Sequence, residues 1–396
     1  MSPTSVPGSP RRGAKQGPSH RRAPFRRRQT LALLLLLAAV AAAIAVPLGC
    51  RGEDAGGGAL VERTTGNGGS SASGSSASSS GSSSANSTSP STLSDGRPVT
   101  QERARTLKAN EIGLIPVLMY HAIKQSIVPP ERLREDIAAL KKAGFYPTTI
   151  REMAEGRMDI PAGKSPVVLT FDDSSPTHYR FLDDGSLDPD CVVAILQAAV
   201  ANGDWAPKAS FFPLLYVDPP ANILFGQPQY AEQKLRDLVR WGYEIGGHTV
   251  THQDLSVATP GQIRKELARS ESLLEELIGG GYQIYTLNPP YGEYPKDESL
   301  LTAGEYEGVF YRYSAVLLAG GSSGPSPFSS KFDPLHIPRI TAYPKDTVSK
   351  LVEHFRSHPE LRFVSDGDPN AVSVPRSLSA KLGALRTDLE LRIVRY

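Results

Sequence analysis

The sequence predicts an α/β protein whose parallel sheet is closed or nearly closed into a barrel. From Ile115 onward, short apolar runs of strand length alternate with helical patterns, which is the β-α order of such folds. The run Val167–Phe171 is short and almost wholly apolar, as expected for a strand buried on both faces. Every Phe, Trp and Tyr except Phe25 lies at or after Tyr120, so the material for a core is confined to this part of the chain.

The predicted elements alternate along this region. Strands are predicted at 115–120, 167–171, 209–212, 243–246, 283–287, 308–317 and 336–340, with a last one at 389–396. Helices are predicted at 130–143, 190–201, 229–241, 260–278 and 347–358. Asp190 is the expected N-cap of one helix, and Thr259 followed by Pro260 is a typical start of another.

The first fifty residues have the pattern of a targeting segment rather than of a domain. Residues 1–30 contain eight Lys or Arg and no acidic residue, and 31–48 is an apolar run without a charge. About 18 to 20 apolar residues cross the hydrocarbon layer as a helix, and positive residues that precede such a run stay on the cytoplasmic side. We therefore predict a basic n-region at 1–30 and a membrane anchor or lipoprotein signal at 31–50, and no nucleic-acid-binding arm.

The residues around Cys50 leave the processing of this segment open. Leu48–Cys50 resembles the end of a bacterial lipobox, in which the cysteine becomes lipidated, but Pro47 departs from that pattern. An uncleaved anchor, a lipoprotein and a secreted protein are the alternatives. Residues 51–110 are predicted to be a Ser/Gly-rich disordered linker, because they offer little apolar surface to bury. Residues 111–396 are then the folded domain, outside the cytoplasm.

Carboxylates and imidazoles directly follow two of the predicted strands. Asp172 and Asp173 come after one strand, and His248 and His252 come after another. Adjacent buried carboxylates are costly unless a positive group neutralises them, and two histidines four residues apart suit a divalent metal ion. Because barrel strands end at one face, the pattern favours one Asp and two His as metal ligands, with the other Asp for proton transfer. The alternative is that one Asp caps a turn and the other faces solvent.

A proline-rich turn, Asn288–Gly292, follows the predicted strand 283–287. Its two prolines fix the backbone, so the segment is a rigid turn in the simplest interpretation. In the functional interpretation it is a groove wall that presents Tyr291 and its backbone N–H to a ligand. Both interpretations predict a fixed backbone at the carboxyl end of a barrel strand.

Taken in order, these motifs resemble those of the NodB-homology polysaccharide deacetylases, carbohydrate esterase family four. The resemblance covers roughly 114–355 and rests on Leu169–Asp173, Lys208–Phe212, His248–His252 and Pro290–Gly292. Val117–His121 also resembles the start of the branch that acts on exported poly-N-acetylglucosamine, with its Met-Tyr-His. The set of motifs is much more specific than any one of them.

The resemblance implies a distorted (β/α)7 barrel and gives the site residues separate roles. The ligands that it implies for a divalent metal ion, commonly Zn2+, are Asp173, His248 and His252. It implies that Asp172 is the general base. Pro290 and Tyr291 would line the substrate site, and the Tyr291 backbone N–H would stabilise the tetrahedral oxyanion together with the metal.

The chain departs from the family pattern at three places. Ser174 stands where Gly normally follows the two aspartates, and Asn288 stands where the third motif often has an Arg that orients the base. The late Leu-x-His motif that supplies the general acid in many members is not recognisable. His121 is the favoured candidate for that acid, His336 is a second candidate and His178 is a third.

The predicted function is metal-dependent removal of N-acetyl groups from an extracellular amino-sugar polysaccharide, such as poly-N-acetylglucosamine, peptidoglycan or a chitin-like polymer. An O-deacetylase of an acetylated polysaccharide and a non-catalytic carbohydrate-binding barrel are the alternatives. The expected partners are the polysaccharide and, through residues 31–50, the membrane. No nucleic-acid or protein partner is expected.

Overall fold

The computed structural model describes residues 98–217 and 220–396. The predicted basic segment 1–30, the predicted anchor or signal 31–50 and most of the predicted linker 51–110 lie outside these residues. Within the described residues, no helix has both the length and the apolar character that a membrane span requires.

Strands and helices alternate along most of the described chain. The strands are β1 Val117–Tyr120, β2 Phe145–Thr148, β3 Ser165–Asp172, β4 Ser210–Phe212, β5 Glu244–Ile245, β6 Thr286–Leu287, β7 Ala303–Tyr306, β8 Val309–Arg312, β9 Ala315–Val316, β10 Ile340–Thr341, β11 Ala371–Val374 and β12 Arg392–Arg395. The α-helices are α1 Gln101–Leu107, α2 Pro130–Lys142, α3 Ile150–Ala154, α4 Val192–Val200, α5 Ala231–Arg240, α6 Pro260–Ile278 and α7 Thr347–Ser357.

Six strands form one sheet in the order β10-β1-β3-β4-β5, with β2 also pairing with β3. All of these pairings are parallel. The central strand is β3, whose eight residues are all buried, and Asp172 at its end lies opposite Phe212 at the end of β4. Parallel strands place their carboxyl ends at one edge, so the loops that follow these strands lie close together.

The parallel pairing continues beyond β5 through β6 and β9. Isolated bridges join Gly247 to Leu287 and Leu317 to Ile337, and between them β6 pairs with β9. The predicted α/β class with a parallel sheet is confirmed. Because these two links are single bridges rather than ladders, the closed (β/α)7 barrel stays a prediction.

Successive residues of β3 belong to two different cores. Val167, Leu169 and Phe171 pack in the larger core with apolar residues of α2, α4, α5 and α6. Val168 packs in a second cluster that includes Val117 of β1 and apolar residues of β4 and β9. Since both faces of β3 are buried, its residues 166–171 are apolar except Thr170, which donates to a backbone oxygen within the sheet.

The predicted strand 308–317 is wrong in part. Its first half is β8, which pairs antiparallel with β7 in a hairpin, and its second half is β9. The hairpin turn is formed by Glu307 and Gly308, which have φ values of 53° and 82°. Positive φ at two successive turn residues matches the twist of a tight hairpin. The dipeptide Glu-Gly is only a weak sequence signal for such a turn, because Asn-Gly and Asp-Gly are the preferred pairs.

The predicted helix caps have mixed outcomes. Thr259 caps α6 as predicted, and it forms a capping box with Gln262. Asp190 is not the N-cap of α4: Cys191 occupies that position, and the Asp190 carboxylate instead accepts a hydrogen bond from Arg134 Nη2 at 2.7 Å. The Arg134 guanidinium thus binds the Asp190 carboxylate in place of the N-terminal N–H groups of α4.

Helix α1 lies within the segment that was predicted to be linker, so the boundary at 111 is placed too late. Val99, Ala104 and Ala109 are buried against Ala371 of β11 and Val394 of β12. The burial of these small apolar residues could not be predicted from the local sequence, because the residues they pack against lie more than 200 positions away. β12 falls within the predicted terminal strand 389–396, and it pairs in parallel with β11.

Two carboxyl groups are buried together where α1 leads into the domain. The Glu111 carboxylate accepts a hydrogen bond from the Ser373 backbone N–H at 2.7 Å, and the Asp366 carboxylate accepts one from the Ser373 hydroxyl at 2.6 Å. Burial and the charge of Asp366 raise the pKa of Glu111 well above its usual value, and burial likewise raises the pKa of Asp366. The folded state therefore favours the protonated forms of this pair.

The buried pair predicts that the free energy of unfolding falls as the pH rises above about 4.5, the usual Glu value. For a group whose pKa is higher in the folded state, the stabilisation is complete below the unfolded pKa and is lost as the pH rises through the folded pKa. Glu111→Gln keeps a neutral group of the same shape and should flatten this dependence. Urea unfolding between about pH 4 and about pH 8 measures it.

Glu102→Gln on the exposed first turn of α1 is the control for Glu111→Gln and should leave the pH dependence unchanged. If the free energy of unfolding of the Glu111→Gln variant fell with rising pH as steeply as that of the wild type, the pH dependence could not be assigned to this pair.

Candidate active site

Loops after three parallel strands bring the predicted site residues together. Asp172 is the last residue of β3 and Asp173 follows it, His248 and His252 follow β5, and Tyr291 follows β6. Contacts among these side chains join residues from different loops. Their proximity follows from the shared direction of the strands.

Asp173, His248 and His252 form a cluster that could hold a metal ion, with one ligand atom from each within 4.8 Å of the others. His248 Nε2 and His252 Nε2 lie 3.2 and 3.5 Å from Asp173 Oδ1. His248 Nδ1 lies 2.5 Å from the Asn288 backbone oxygen, and because that oxygen only accepts, Nδ1 carries a proton. In the neutral ring, Nε2 therefore faces the carboxylate with a lone pair, and a cation between them would satisfy both. A carboxylate with two imidazoles, one of them fixed by a backbone carbonyl, is a donor set that suits divalent metal ions.

The charges of the cluster shift its pKa values in opposite directions. Burial opposes ionisation of Asp173, but the hydrogen bond from His248 and the charges of the nearby histidines outweigh burial and lower the pKa of Asp173 below its usual range. Burial also acts to lower the pKa of His248, but the bond to Asp173 reverses the effect and the pKa is raised. Burial and the charge of His248 lower the pKa of His252 to about 4. His252 is thus a neutral imidazole at neutral pH, the form that binds metals.

A buried arginine holds the other aspartate. Arg339 Nη1 donates to both carboxylate oxygens of Asp172, at 2.9 and 2.8 Å, and both residues are almost fully buried. Arg339 Nε donates to the Leu318 backbone oxygen at 2.7 Å, and Nη2 donates to Asn288 Oδ1 at 2.8 Å. The Asp172 carboxylate is therefore fixed in one orientation. The two adjacent aspartates have different surroundings, because one faces histidines and the other faces an arginine.

Arg339 is not among the residues predicted from the sequence, although it lies in the predicted strand 336–340. Asn288 stands where an arginine was expected, and its side chain instead accepts a hydrogen bond from Arg339. Its backbone oxygen accepts from His248, so Asn288 joins the arginine to a histidine of the metal cluster. Arg339 is a charged residue in a strand that is expected to be buried, and such a residue needs a charged partner. Its position in the strand was therefore the sequence signal that could have identified it.

His121 follows β1 and lies beside both aspartates. Its Nε2 is 3.9 Å from Asp172 Oδ2 and 3.7 Å from Asp173 Oδ2. The side chain is 30% exposed, and its ring contacts the edge of Tyr343 with a centroid distance of 5.5 Å. His121 is therefore placed within reach of both the aspartates and a substrate that enters from solvent.

Tyr291 projects from the proline-rich turn beside the metal cluster. Its side chain is 65% exposed, and its ring lies 4.6 Å from the His252 ring, centroid to centroid. Pro290 is buried and begins a short 3-10 turn, Pro290–Gly292. A side chain at Gly292 would lie 2.3 Å from Ala319 Cβ, so the turn packs closely on the neighbouring strand segment. The predicted rigid turn is thus present, with Tyr291 as its exposed residue, and its role as a groove wall stays a prediction.

Unusual backbone conformations are concentrated at this site. Nine of the described residues other than glycine have positive φ, and five of them lie here. These five are Asp173, Ser174, Thr249, His252 and Tyr291. Such conformations cost about 1–3 kcal/mol each and persist where the surrounding structure fixes them, most often at functional sites.

Ser174, which replaces the usual Gly, is accommodated by its own hydrogen bonds. Its hydroxyl donates to the Asn222 backbone oxygen at 2.6 Å and accepts from the Leu214 N–H at 2.9 Å. Its φ of 36° is one that Gly adopts more easily. The serine therefore offsets backbone strain by joining the end of β3 to the loop after β4.

The structure does not place His178 or His336 as general acids. His178 is fully buried, its Nε2 donates to the His121 backbone oxygen at 2.8 Å, and burial lowers its pKa to about 4. His336 has both ring nitrogens facing carboxylates, with Nδ1 2.9 Å from Asp333 and Nε2 3.1 Å from Glu298. His178 therefore supports the His121 backbone, and His336 belongs to a separate surface cluster.

Comparisons with known proteins agree with this geometry. Residues 159–306, which include β3, β4, β5 and β6, match the profile of the family described as polysaccharide deacetylase. A curated relative, "Putative polysaccharide deacetylase YxkH" of Bacillus subtilis (strain 168), is 23% identical over 224 residues, which are 55% of this chain and 69% of that protein.

Two solved structures are also similar. The deacetylase PplD of Streptococcus pyogenes in complex with acetate is 21% identical, and the match covers 61% of this chain and 97% of that chain with a TM-score of 0.43. IcaB from Ammonifex degensii is 17% identical, with coverage of 61% and 96% and a TM-score of 0.42.

The match over residues 159–306 supports a polysaccharide deacetylase domain in this part of the chain and deacetylase hydrolase activity. The prediction of a polysaccharide deacetylase is supported at this level. The more specific Met-Tyr-His branch, read from Val117–His121, stays a prediction.

Arg339→Met should lower the free energy of unfolding by about 3–5 kcal/mol, because it leaves the buried Asp172 carboxylate without a partner. Adding Asp172→Asn should recover much of that loss, since the second change removes the unpaired charge. Denaturant unfolding of the wild type, the single variants and the double variant gives the coupling between the two residues.

Arg356→Met is the matched control, because Arg356 pairs with Glu353 at an exposed position and its removal should change stability by less than about 1 kcal/mol. If the double variant lost as much free energy of unfolding as the two single variants together, Arg339 and Asp172 would not be a coupled pair.

Proposed function

We propose that this protein removes N-acetyl groups from an amino-sugar polysaccharide. The observation that carries the proposal is the division of roles between two adjacent carboxylates: Asp173 faces His248 and His252, and Asp172 faces Arg339. The first arrangement offers a site for a divalent ion, and the second offers a fixed base beside it. A metal-dependent amide hydrolase can use the ion to activate a water and the base to accept its proton.

Asp173, His248 and His252 would hold the ion, and we propose Zn2+ because imidazole and carboxylate ligands in this combination suit it. When bound, the ion supplies a water of lowered pKa and a Lewis acid for the carbonyl oxygen. The hydrogen bond from His248 Nδ1 to the Asn288 backbone oxygen would keep Nε2 directed at the ion.

Asp172 would accept the proton of the attacking water. Two hydrogen bonds from Arg339 hold its carboxylate, so little reorientation is needed during proton transfer. His121, within 4 Å of both aspartates by its Nε2, would protonate the leaving amine. The Tyr291 backbone N–H would donate to the developing oxyanion.

Two aromatic residues would bind the sugar rings on either side of the reacting group. Tyr291 lies against His252, and Tyr343 lies against His121. Since these two histidines face different oxygens of Asp173, the aromatic rings flank the cluster. Two aromatic rings on opposite sides of the reacting group suit an extended polymer better than a small acetylated metabolite.

We propose an extracytoplasmic location, with attachment to the membrane through residues 31–50 or a lipidated Cys50, or secretion after cleavage. The support is the basic and apolar sequence of the N-terminal segment. This location would give the enzyme access to poly-N-acetylglucosamine, peptidoglycan or a chitin-like polymer.

The division of roles predicts different results for two variants of the full chain. Asp172→Asn should keep the metal but lower kcat by about 100-fold or more, because the base is lost while the ligands remain. His248→Ala should lose both metal and activity. Metal content by mass spectrometry, and acetate and free amine released from acetylated glucosamine oligomers, measure the two effects.

His354→Ala, on the exposed face of α7, is the matched histidine control and should keep both properties. Equal release of acetate and amine supports N-deacetylation. Acetate released only from O-acetylated polymers would identify an O-deacetylase instead. Binding of a glycan by a wild type that holds no metal and releases no acetate would identify a non-catalytic barrel.

A further inference from the structure

The segment that carries Tyr291, residues 288–301, is tied in its middle to a turn of another loop. We call it the Tyr291 loop. The Tyr294 hydroxyl donates to the Leu335 backbone oxygen at 2.9 Å. The Tyr294 ring stacks on the His336 ring at a centroid distance of 5.2 Å and an interplanar angle of 13°. Glu298 of the same loop lies 3.1 Å from His336 Nε2.

His336 is the centre of these contacts. Its Nδ1 lies 2.9 Å from an Asp333 oxygen on its own turn, while its Nε2 reaches across to Glu298. Carboxylate oxygens only accept hydrogen bonds, so the ring satisfies both contacts when both nitrogens carry protons. The stack of the Tyr294 ring on the His336 ring adds a further contact between the two segments.

Other contacts hold both ends of the Tyr291 loop: Leu300 and Leu301 are buried in the larger core, and the Tyr311 hydroxyl donates to the Leu300 backbone oxygen at 2.6 Å. Gly292 packs on Ala319 with no room for a side chain. The loop contains only two short 3-10 turns, Pro290–Gly292 and Glu298–Leu301, and no strand that would fix it to the sheet. Tyr291 itself is 65% exposed and has a φ of 62°, a conformation that the surroundings must maintain.

We propose that His336 is a positioning residue that holds the Tyr291 loop closed against the site and thereby sets the affinity for the polysaccharide. The latch consists of His336, Asp333, Tyr294 and Glu298. It acts through Tyr291, which is only three residues from Tyr294 and contacts His252. The inference rests on the proposed function only for the nature of the ligand, because the contacts of the latch do not involve the metal cluster.

The first test is hydrogen exchange of the full chain without substrate. His336→Ala should speed backbone amide exchange of residues 293–298 by about tenfold, because the middle of the loop loses its partner. Exchange of β3 and β5 should stay unchanged. His354→Ala removes a histidine whose ring contacts Phe355 and His358, far from the loop in sequence, and it should leave the loop unchanged.

The second test separates positioning from catalysis. His336→Ala should raise KM for an acetylated glucosamine oligomer by about five- to tenfold, with kcat within about twofold of the wild type and the metal content unchanged. Tyr294→Phe removes only the hydroxyl bond to Leu335 and keeps the ring stack, so its effects should be smaller and in the same direction.

Unchanged exchange in the Tyr291 loop of the His336→Ala variant would overturn the proposal. A large fall in kcat with KM and exchange unchanged would also overturn it, because that result would identify His336 as a general acid. If the wild type releases no acetate from any polymer, the proposed function fails, whereas the exchange measurement still decides whether His336 holds the loop.

Discussion

The buried ion pair between Arg339 and Asp172 is the contact on which the candidate site depends. Arg339 comes directly before β10 and Asp172 ends β3, and β1 lies between these strands in the sheet, so the pair joins parts of the sheet that are not neighbours. Transferring two charges out of water costs several kcal/mol each, and good geometry only roughly compensates for that cost. Two well-packed apolar residues in place of Arg339 and Asp172 would stabilise the fold equally well. Stability alone therefore does not account for the ion pair, which agrees with the proposed role of Asp172 as a fixed base.

The same network gives adjacent residues different chemistry. Asp172 remains in the strand and faces Arg339, whereas Asp173 has a φ of 69°, which turns its carboxylate toward the histidines. Asn288 completes the connection, because its side chain binds Arg339 and its backbone oxygen binds His248. Asp172, the proposed base, and the candidate metal cluster are thus held by one continuous set of hydrogen bonds. The left-handed backbone conformation of Asp173 costs about 1–3 kcal/mol.

Much of the fold and the metal cluster could be predicted because their signals are local. The apolar run of β3, the helix start at Thr259 and the spacing of His248 and His252 each lie within a few residues. Arg339 could not be predicted, since its partner is 167 positions away in sequence. α1 was missed for a similar reason, because its buried residues pack against the C-terminal strands. His336 is a candidate acid by residue type, but Glu298, the carboxylate that faces its Nε2, lies in another loop whose proximity only the fold establishes.

The most direct test of this account is the position of a bound metal ion in crystals grown with Zn2+. Anomalous diffraction at the zinc edge should show one strong peak within bonding distance of Asp173, His248 and His252, with Asp172 still bound to Arg339 and not a ligand. A peak ligated by Asp172, or a zinc site that excludes either histidine, would contradict the division of roles between the two aspartates.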